Sequence, residues 1–165
     1  GNHDQDISPS EILSTNLLDK DTYDKLHFIS LELFKRGTQI AKNSGLILVD
    51  TKYEFGLDSE NNIILIDEIH TPDSSRYFYS DVYEYNQANK LKQKQLSKEF
   101  FREWLMQNDF QGLEGQNIPN ISDQTVELIS NRYIELYERL MNKKFVKDSI
   151  LDVDERIKSN LSNFL

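Results

Sequence analysis

The chain has 165 residues, of which 38% are hydrophobic and 28% are charged, so it is long enough for one domain with a buried core. Its formal net charge of −9 argues against a nucleic-acid partner, because binding to phosphate backbones requires clustered Lys and Arg. It contains no cysteine, which excludes disulfides and thiol redox chemistry, and no apolar run approaches the ~20 residues of a membrane-spanning helix. With no charged-then-apolar signal segment at its start, we expect a cytoplasmic protein without a membrane partner.

Two helices are predicted before the first apolar run. Ser8, Pro9 and Ser10 are typical of a helix start, because serine caps a first turn and proline fits within it. Residues 21–43 carry apolar side chains at helical spacing, and Gly45 follows as a helix-terminating residue. This part of the chain therefore predicts a short helix and then a long one.

Two strongly apolar runs come next, at residues 46–56 and 63–70, with a short polar connection between them. Such runs are typical of buried strands, and the short connection favours an antiparallel hairpin. We therefore expect an α+β fold in which an antiparallel sheet, centred on residues 45–70, has helices packed on one face.

Charged residues at the ends of both apolar runs indicate a functional site rather than only a buried core. Side chains alternate along a strand, so Asp50, Lys52 and Glu54 share one predicted face. In the predicted register, Asp67 lies opposite Thr51 or Lys52. Carboxylates brought together repel unless a cation lies between them, and hard oxygen ligands suit Mg²⁺.

The alternative is a ladder of exposed charges on a half-solvated sheet, which is common in antiparallel sheets. Two observations favour a site: the unbroken apolar run before each charged group, and the exit at residues 71–76. Pro72 restricts the backbone there, and Ser74 and Ser75 offer hydroxyl groups. The planar guanidinium of Arg76 suits phosphate, so the segment at residues 71–76 is typical of a ligand-binding edge of a sheet.

The remaining chain predicts helices and loops. The lysine- and glutamine-rich run at 89–98 is predicted to be solvated and mobile. Ser97 is a predicted helix cap, residues 112–119 are a predicted loop, and Ser122 is the predicted cap of a second long helix. Residues 147–165 predict one further helix, which would suit an oligomer contact.

Two segments resemble the signatures of the phosphoribosylaminoimidazole-succinocarboxamide synthase, or SAICAR synthetase, family of purine biosynthesis. They are Asp-Thr-Lys-Tyr-Glu-Phe-Gly at residues 50–56 and Asp-Glu-Ile-His-Thr-Pro-Asp-Ser-Ser-Arg at residues 67–76. The opening Gly-Asn-His-Asp is similar to the family's Gly-x-His-Asp segment, and the likeness extends to about residue 145. It implies the C-terminal domain of the SAICAR synthetase-like (ATP-grasp-like) fold at residues 1–146, with residues 147–165 as a helical extension.

The resemblance also implies a further domain. Family members begin with a domain whose glycine-rich hairpin covers the ATP phosphates, and the six glycines of this chain form no such loop. We therefore expect an incomplete, inactive fragment that lacks this N-terminal domain. Apolar surface left uncovered would favour association into homo-oligomers.

By this resemblance the complete enzyme is an ATP-dependent ligase. It joins carboxyaminoimidazole ribonucleotide to L-aspartate through an acyl phosphate, and it releases SAICAR, ADP and phosphate. The matching positions imply that Glu54 and Asp67 hold Mg²⁺ on the ATP phosphates. They also imply that Lys52 stabilises charge on the reacting carboxylate and that Asp50 orients Lys52.

The substrate contacts are implied in the same way. Arg76 would bind the 5′-phosphate of the ribonucleotide, and Asp73 would meet its ribose hydroxyls with Ser75 assisting. Asp4 would face the substrate side of the cleft.

Two other classes of function stay open. Asp, Glu and Lys also cluster around Mg²⁺ in metal-dependent nucleases, although the net charge of −9 and the lack of a basic stripe disfavour this class. The other class is a non-catalytic module that binds a nucleotide or associates with another chain.

Overall fold

The computed structural model describes residues 5–148, 152–162 and 164, and it combines helices with two small antiparallel sheets. The helices are α1 (Pro9–Ser14), α2 (Lys20–Asn43), α3 (Ser80–Ala88), α4 (Glu99–Gln107), α5 (Asp123–Met141) and α6 (Val153–Leu161). The strands are β1 (Leu46–Thr51), β2 (Glu54–Leu57), β3 (Ile63–Ile66), β4 (Ser75–Tyr79) and β5 (Gln95–Leu96). The expected α+β class is confirmed.

The predicted caps at Ser8 and Ser122 are confirmed, whereas the predicted cap at Ser97 is off by one residue: the N-cap residue of α4 is Lys98, and the Ser97 hydroxyl before it accepts a hydrogen bond from the Glu99 N–H. Ser8 Oγ accepts a hydrogen bond from the Glu11 N–H, and the Glu11 carboxylate accepts one from the Ser8 N–H, which forms a capping box. Ser122 Oγ likewise accepts from the Thr125 N–H at the start of α5. Helix α2 covers the predicted long helix and begins one residue earlier.

Strand pairing differs from the predicted hairpin. β1 pairs with β4 in a sheet of order β1-β4-β5, whereas β2 and β3 form a separate two-stranded sheet. The first apolar run is not one strand, because its ladder is irregular between Leu48 and Asp50 and ends at Thr51. The Lys52 N–H then donates to the Ser74 carbonyl, which aligns β4 beside β1. The prediction of one continuous hairpin was therefore wrong.

The pairing of β2 with β3 also changes the predicted position of Asp67. Glu54 lies opposite Ile66, the last residue of β3, so Asp67 follows the ladder and does not lie opposite Lys52 as predicted. Asp67 has a φ of 65°, a left-handed conformation that ends the strand. The shared face predicted for Asp50, Lys52 and Glu54 is interrupted, because these residues follow the chain from one sheet to the other.

The core lies where the three-stranded sheet meets α2 and α5. It contains Ala41, Leu46, Leu48, Tyr77, Tyr79, Leu96 and Leu136. Leu96 is only 1% exposed and lies in β5, which pairs with β4. The run at residues 89–98 is therefore not wholly solvated, and that prediction was wrong, because Leu96 completes the core despite the lysines around it.

The β2–β3 hairpin is not buried, contrary to the prediction for the second apolar run. Leu57, Ile64, Leu65 and Ile66 are between 36% and 61% exposed. Within the described residues, this two-stranded sheet stands apart from the three-stranded one. The hairpin therefore exposes apolar side chains on both faces, Ile64 and Ile66 on one and Leu57 and Leu65 on the other, and this exposure suits a further packing partner.

Helix α6 lies within the segment predicted to extend the domain, and Asp152 caps its first turn. The division into a domain at residues 1–146 and an extension at 147–165 stays a prediction. Across the part of the chain that the structure describes, no helix is both long and apolar enough to cross a membrane.

Candidate active site

The two charged segments meet at one cleft of about 380 Å³, where β1 ends and β4 begins. Its lining consists of Asp50, Thr51, Lys52, Asp67, Glu68, Asp73, Ser74, Ser75, Arg76, Ser97, Lys98 and Glu99. Six of the eight predicted site residues are in this lining. Glu54 is not part of it, and Asp4 lies outside the residues that the structure describes.

Asp50 and Arg76 form an ion pair across β1 and β4, where they are ladder partners. Arg76 Nε donates to both carboxylate oxygens of Asp50, at 2.9 and 3.1 Å, and Nη2 donates to Oδ2. These hydrogen bonds hold the pKa of Asp50 below its usual range. One edge of the Arg76 guanidinium is therefore hydrogen-bonded to Asp50, and both groups stay charged at neutral pH.

This pairing predicts a pH-dependent effect of Asp50→Asn on stability. The folded-state pKa of Asp50 lies below the unfolded value of about 3.9, so the pair stabilises the fold above that pH. The contribution is lost as the pH falls through the lowered folded-state pKa. Both side chains are about half exposed, so we expect Asp50→Asn to lower the urea midpoint only slightly at pH 7, and the difference from the unsubstituted chain to shrink below about pH 4. Asp6→Asn, in the exposed lead before α1, is the control; a pH-independent difference for Asp50→Asn would contradict the assignment.

Lys52 and Glu54 form a second ion pair beside the cleft. Lys52 Nζ lies 2.6 Å from Glu54 Oε1, and the two side chains are 62% and 40% exposed. Exposed pairs are only weakly stabilising. A bound anion can therefore compete with Glu54 for the ammonium group of Lys52.

The turn between β3 and β4 is ordered by its own hydroxyl groups. Thr71 Oγ1 donates to the Glu68 carboxylate and accepts from the Ser74 N–H at 3.2 Å. Ser75 is 4% exposed, and its hydroxyl donates to Thr51 Oγ1 at 2.9 Å. Ser75 therefore ties β4 to β1 at the floor of the cleft.

The junction of β5 and α4 adds three lining residues that sequence reasoning did not assign to the site: Ser97, Lys98 and Glu99. Lys98 Nζ lies 3.3 Å from Asp73 Oδ1, and the Lys98 N–H donates to the Pro72 carbonyl at 3.0 Å. No local signal distinguishes Lys98 from the other lysines of its run. Only the pairing of β5 with β4 brings it to the cleft.

The cleft is rich in acidic groups, with five carboxylates against three cationic side chains. Such a lining repels an anionic nucleotide unless further positive charge enters with it. Among the described residues, no three His, Asp or Glu side chains are grouped so that they could hold a metal by themselves. Glu54 lies opposite Ile66, the residue before Asp67, and Mg²⁺ typically takes one or two carboxylates plus phosphate oxygens. The donor chemistry therefore fits Mg²⁺ together with a phosphate-bearing ligand.

Comparison with known proteins identifies the family of this chain. The family model of SAICAR synthetase matches residues 1–118. This chain belongs to the SAICAR synthetase family. The resemblance seen in the two signature segments is thereby confirmed.

Relatives in the SAICAR synthetase family align beyond the matched residues. The phosphoribosylaminoimidazole-succinocarboxamide synthases of Bacteroides thetaiotaomicron and Flavobacterium psychrophilum are 55% and 52% identical over 165 residues, which is 100% of this chain and 52% of each relative. The chain thus spans about half the length of the curated relatives it matches. A solved SAICAR synthase from Saccharomyces cerevisiae, complexed with SAICAR, has a TM-score of 0.67 and 34% identity over 87% of this chain and 46% of that chain.

Proposed function

We propose that this chain carries catalytic and substrate-binding residues of an ATP-dependent ligase. The ligase joins carboxyaminoimidazole ribonucleotide to L-aspartate and yields SAICAR, ADP and phosphate. The strongest support is the single cleft in which Asp50, Lys52, Asp67, Asp73 and Arg76 meet, within a chain of the SAICAR synthetase family. The names of the bacterial relatives, and the SAICAR bound to the yeast relative, support the same reaction.

The chemistry requires activation before the new bond can form, because a carboxylate is a poor acyl donor. One oxygen of the ribonucleotide carboxylate attacks the γ-phosphorus of ATP, the bond to the bridging oxygen breaks, and ADP leaves. The amine of aspartate then attacks the acyl carbon, the bond from carbon to the phosphate oxygen breaks, and the amine loses a proton as the amide forms. Catalysis of this kind depends on positioning and charge neutralisation.

Lys52 is proposed to lie beside the reacting carboxylate and to stabilise the negative charge that develops there. Its exposed pairing with Glu54 supports this role, because Lys52 can exchange partners when an anion binds. Asp50 is proposed to orient Lys52. The hydrogen bonds from Arg76 keep the Asp50 carboxylate ionised and fixed on the cleft wall.

The ribonucleotide is proposed to bind at the β4 end of the cleft. Arg76 would bind the 5′-phosphate, because a guanidinium matches phosphate geometry. Asp73 would bind the ribose hydroxyls, and Ser75 would assist by holding β4 against β1. Asp4 belongs to the same proposal through its family position alone.

Glu54 and Asp67 are proposed to hold Mg²⁺ on the ATP phosphates. The metal would neutralise charge on the transferred phosphoryl group. The excess of carboxylates in the lining supports this assignment, as does the position of Glu54 beside the end of β3. ATP and Mg²⁺ would therefore bind together.

The exposed β2–β3 hairpin supports a role for further protein in the complete enzyme. Its exposed apolar side chains would be covered either by an N-terminal domain or by a second copy in a homo-oligomer. The isolated 165-residue chain is accordingly proposed to be inactive.

The direct test is the complete reading frame that contains this chain. The purified product should form SAICAR and ADP in equal amounts, and only when ATP, Mg²⁺, L-aspartate and the ribonucleotide are all present. A folded product that binds nucleotide without turnover would support the non-catalytic module instead. Nicking of plasmid DNA would support the nuclease. Either result would overturn the ligase proposal.

A further inference from the structure

The turn between β3 and β4 supplies three carboxylates of the cleft: Asp67, Glu68 and Asp73. Its backbone is unusual, because Asp67 and His70 have φ values of 65° and 55°. Only a few per cent of non-glycine residues adopt this left-handed conformation, with Asp and His enriched among them, and it has an energetic cost that the surrounding contacts offset. The contacts that hold the turn therefore decide where its carboxylates lie.

His70 holds the turn against α2 and β4. Its imidazole lies directly over Gly37, a buried residue of α2. A Cβ built on Gly37 would lie 2.8 Å from both Nδ1 and Nε2 of His70, and closer still to Cε1, so only glycine leaves room for the ring. The carbonyl of His70 accepts a hydrogen bond of 2.7 Å from the hydroxyl of Tyr77, which is 1% exposed.

The same ring reaches the other side of the cleft. His70 Nε2 and the Tyr53 hydroxyl share a hydrogen bond of 2.6 Å, and the two rings meet edge to face with centroids 5.6 Å apart. Burial lowers the pKa of His70, so the imidazole is neutral at neutral pH and one ring nitrogen can accept a hydrogen bond from the Tyr53 hydroxyl. Tyr53 lies between Lys52 and Glu54 in the chain.

We propose that His70 is a positioning residue that joins the two sides of the cleft and sets the Asp67–Asp73 turn relative to Lys52 and Glu54. His70 is not part of the cleft lining, so it acts through the residues that it holds. Misplacement of reacting groups by about 1 Å can slow catalysis by a factor on the order of 10². The effect on catalysis rests on the proposed ligase function, whereas the mechanical link does not.

Three variants of the complete protein test this link. Tyr53→Phe removes only the hydroxyl group, and His70→Leu removes both ring nitrogens. His70→Gln restores an acceptor near the position of Nε2, so it is the conservative rescue. Tyr85→Phe is the matched control, because Tyr85 lies in α3 and is 67% exposed.

The first measurement is amide hydrogen exchange at three backbone N–H groups that the turn protects. The N–H groups of Lys52, Ser75 and Lys98 donate to the carbonyls of Ser74, Thr71 and Pro72. We expect Tyr53→Phe and His70→Leu to speed this exchange about tenfold, the equivalent of one hydrogen bond. His70→Gln should restore most of the protection, and Tyr85→Phe should leave it unchanged.

The second measurement is ligase turnover by the same variants. We expect kcat to fall about tenfold in Tyr53→Phe and His70→Leu with a smaller change in KM, because the link acts on the geometry of the reacting groups. Exchange that stays within about twofold of the unsubstituted protein in both Tyr53→Phe and His70→Leu would overturn the mechanical link and the proposal with it. Faster exchange with unchanged kcat would overturn the positioning role in catalysis. If the unsubstituted protein forms no SAICAR, the ligase proposal fails, and the exchange rates still decide whether His70 joins the two sides.

Discussion

In the complete enzyme, Asp67→Asn is expected to lower kcat by a factor on the order of 10²–10³. Asparagine keeps the size of the side chain and tolerates the left-handed φ of 65° at this position, so the substitution removes mainly the negative charge. With one carboxylate lost, Mg²⁺ would bind the cleft more weakly. The Mg²⁺ concentration for half-maximal activity should therefore rise together with the fall in kcat.

The control for Asp67→Asn is Glu60→Gln. Glu60 is an exposed acidic residue in the connection between β2 and β3, away from the cleft lining. Glu60→Gln should retain full activity and an unchanged Mg²⁺ requirement. Near-normal turnover by a folded Asp67→Asn enzyme, at an unchanged Mg²⁺ requirement, would refute the metal assignment.

The second large effect is expected from Lys52→Met, with kcat reduced by a factor on the order of 10²–10³. Methionine keeps an extended apolar stem but carries no positive charge for the contact with the reacting carboxylate that is proposed for Lys52. Steady-state assays with each substrate varied in turn should show the loss mainly in kcat, because the interaction strengthens as charge develops.

Lys52→Arg separates the charge of Lys52 from its geometry. It retains a cation that can pair with Glu54, whose Oε1 lies 2.6 Å from Lys52 Nζ, but it presents a planar fork in place of a compact ammonium. We expect Lys52→Arg to keep KM near that of the unsubstituted protein but not to restore kcat. Lys35→Met, on the exposed surface of α2, is the control for loss of a lysine charge. Full activity of Lys52→Met would show that Lys52 does not contact the reacting groups.

The helices were predictable because their signals are local. The Ser8 and Ser122 caps, and the apolar spacing of residues 21–43, involve side chains within a few residues of one another. A helix satisfies its backbone hydrogen bonds within its own segment, so such signals suffice to mark where it starts and ends.

Strand pairing was not predictable in the same way. The segment at residues 46–51 could pair with either of two later apolar segments, and it pairs with β4 in place of β3. Two distant contacts accompany the pairing of β1 with β4. The turn before β4 brings the Ser74 carbonyl to the Lys52 N–H, and Leu96 completes the core, although the residues around Leu96 indicate a solvent-exposed segment. Partners that are distant in sequence leave no periodic signal in either segment.

The sequence by itself determined which charged side chains to expect in the cleft, because the two signature segments contain Asp50, Lys52, Asp67 and Arg76, and all four line it. Only the tertiary structure decided which further groups join them. Lys98 enters the cleft through the pairing of β5 with β4. Likewise, the His70 contact with Gly37 and the hydrogen bond to Tyr53 join segments far apart in the chain, and such contacts form only when the whole chain has folded.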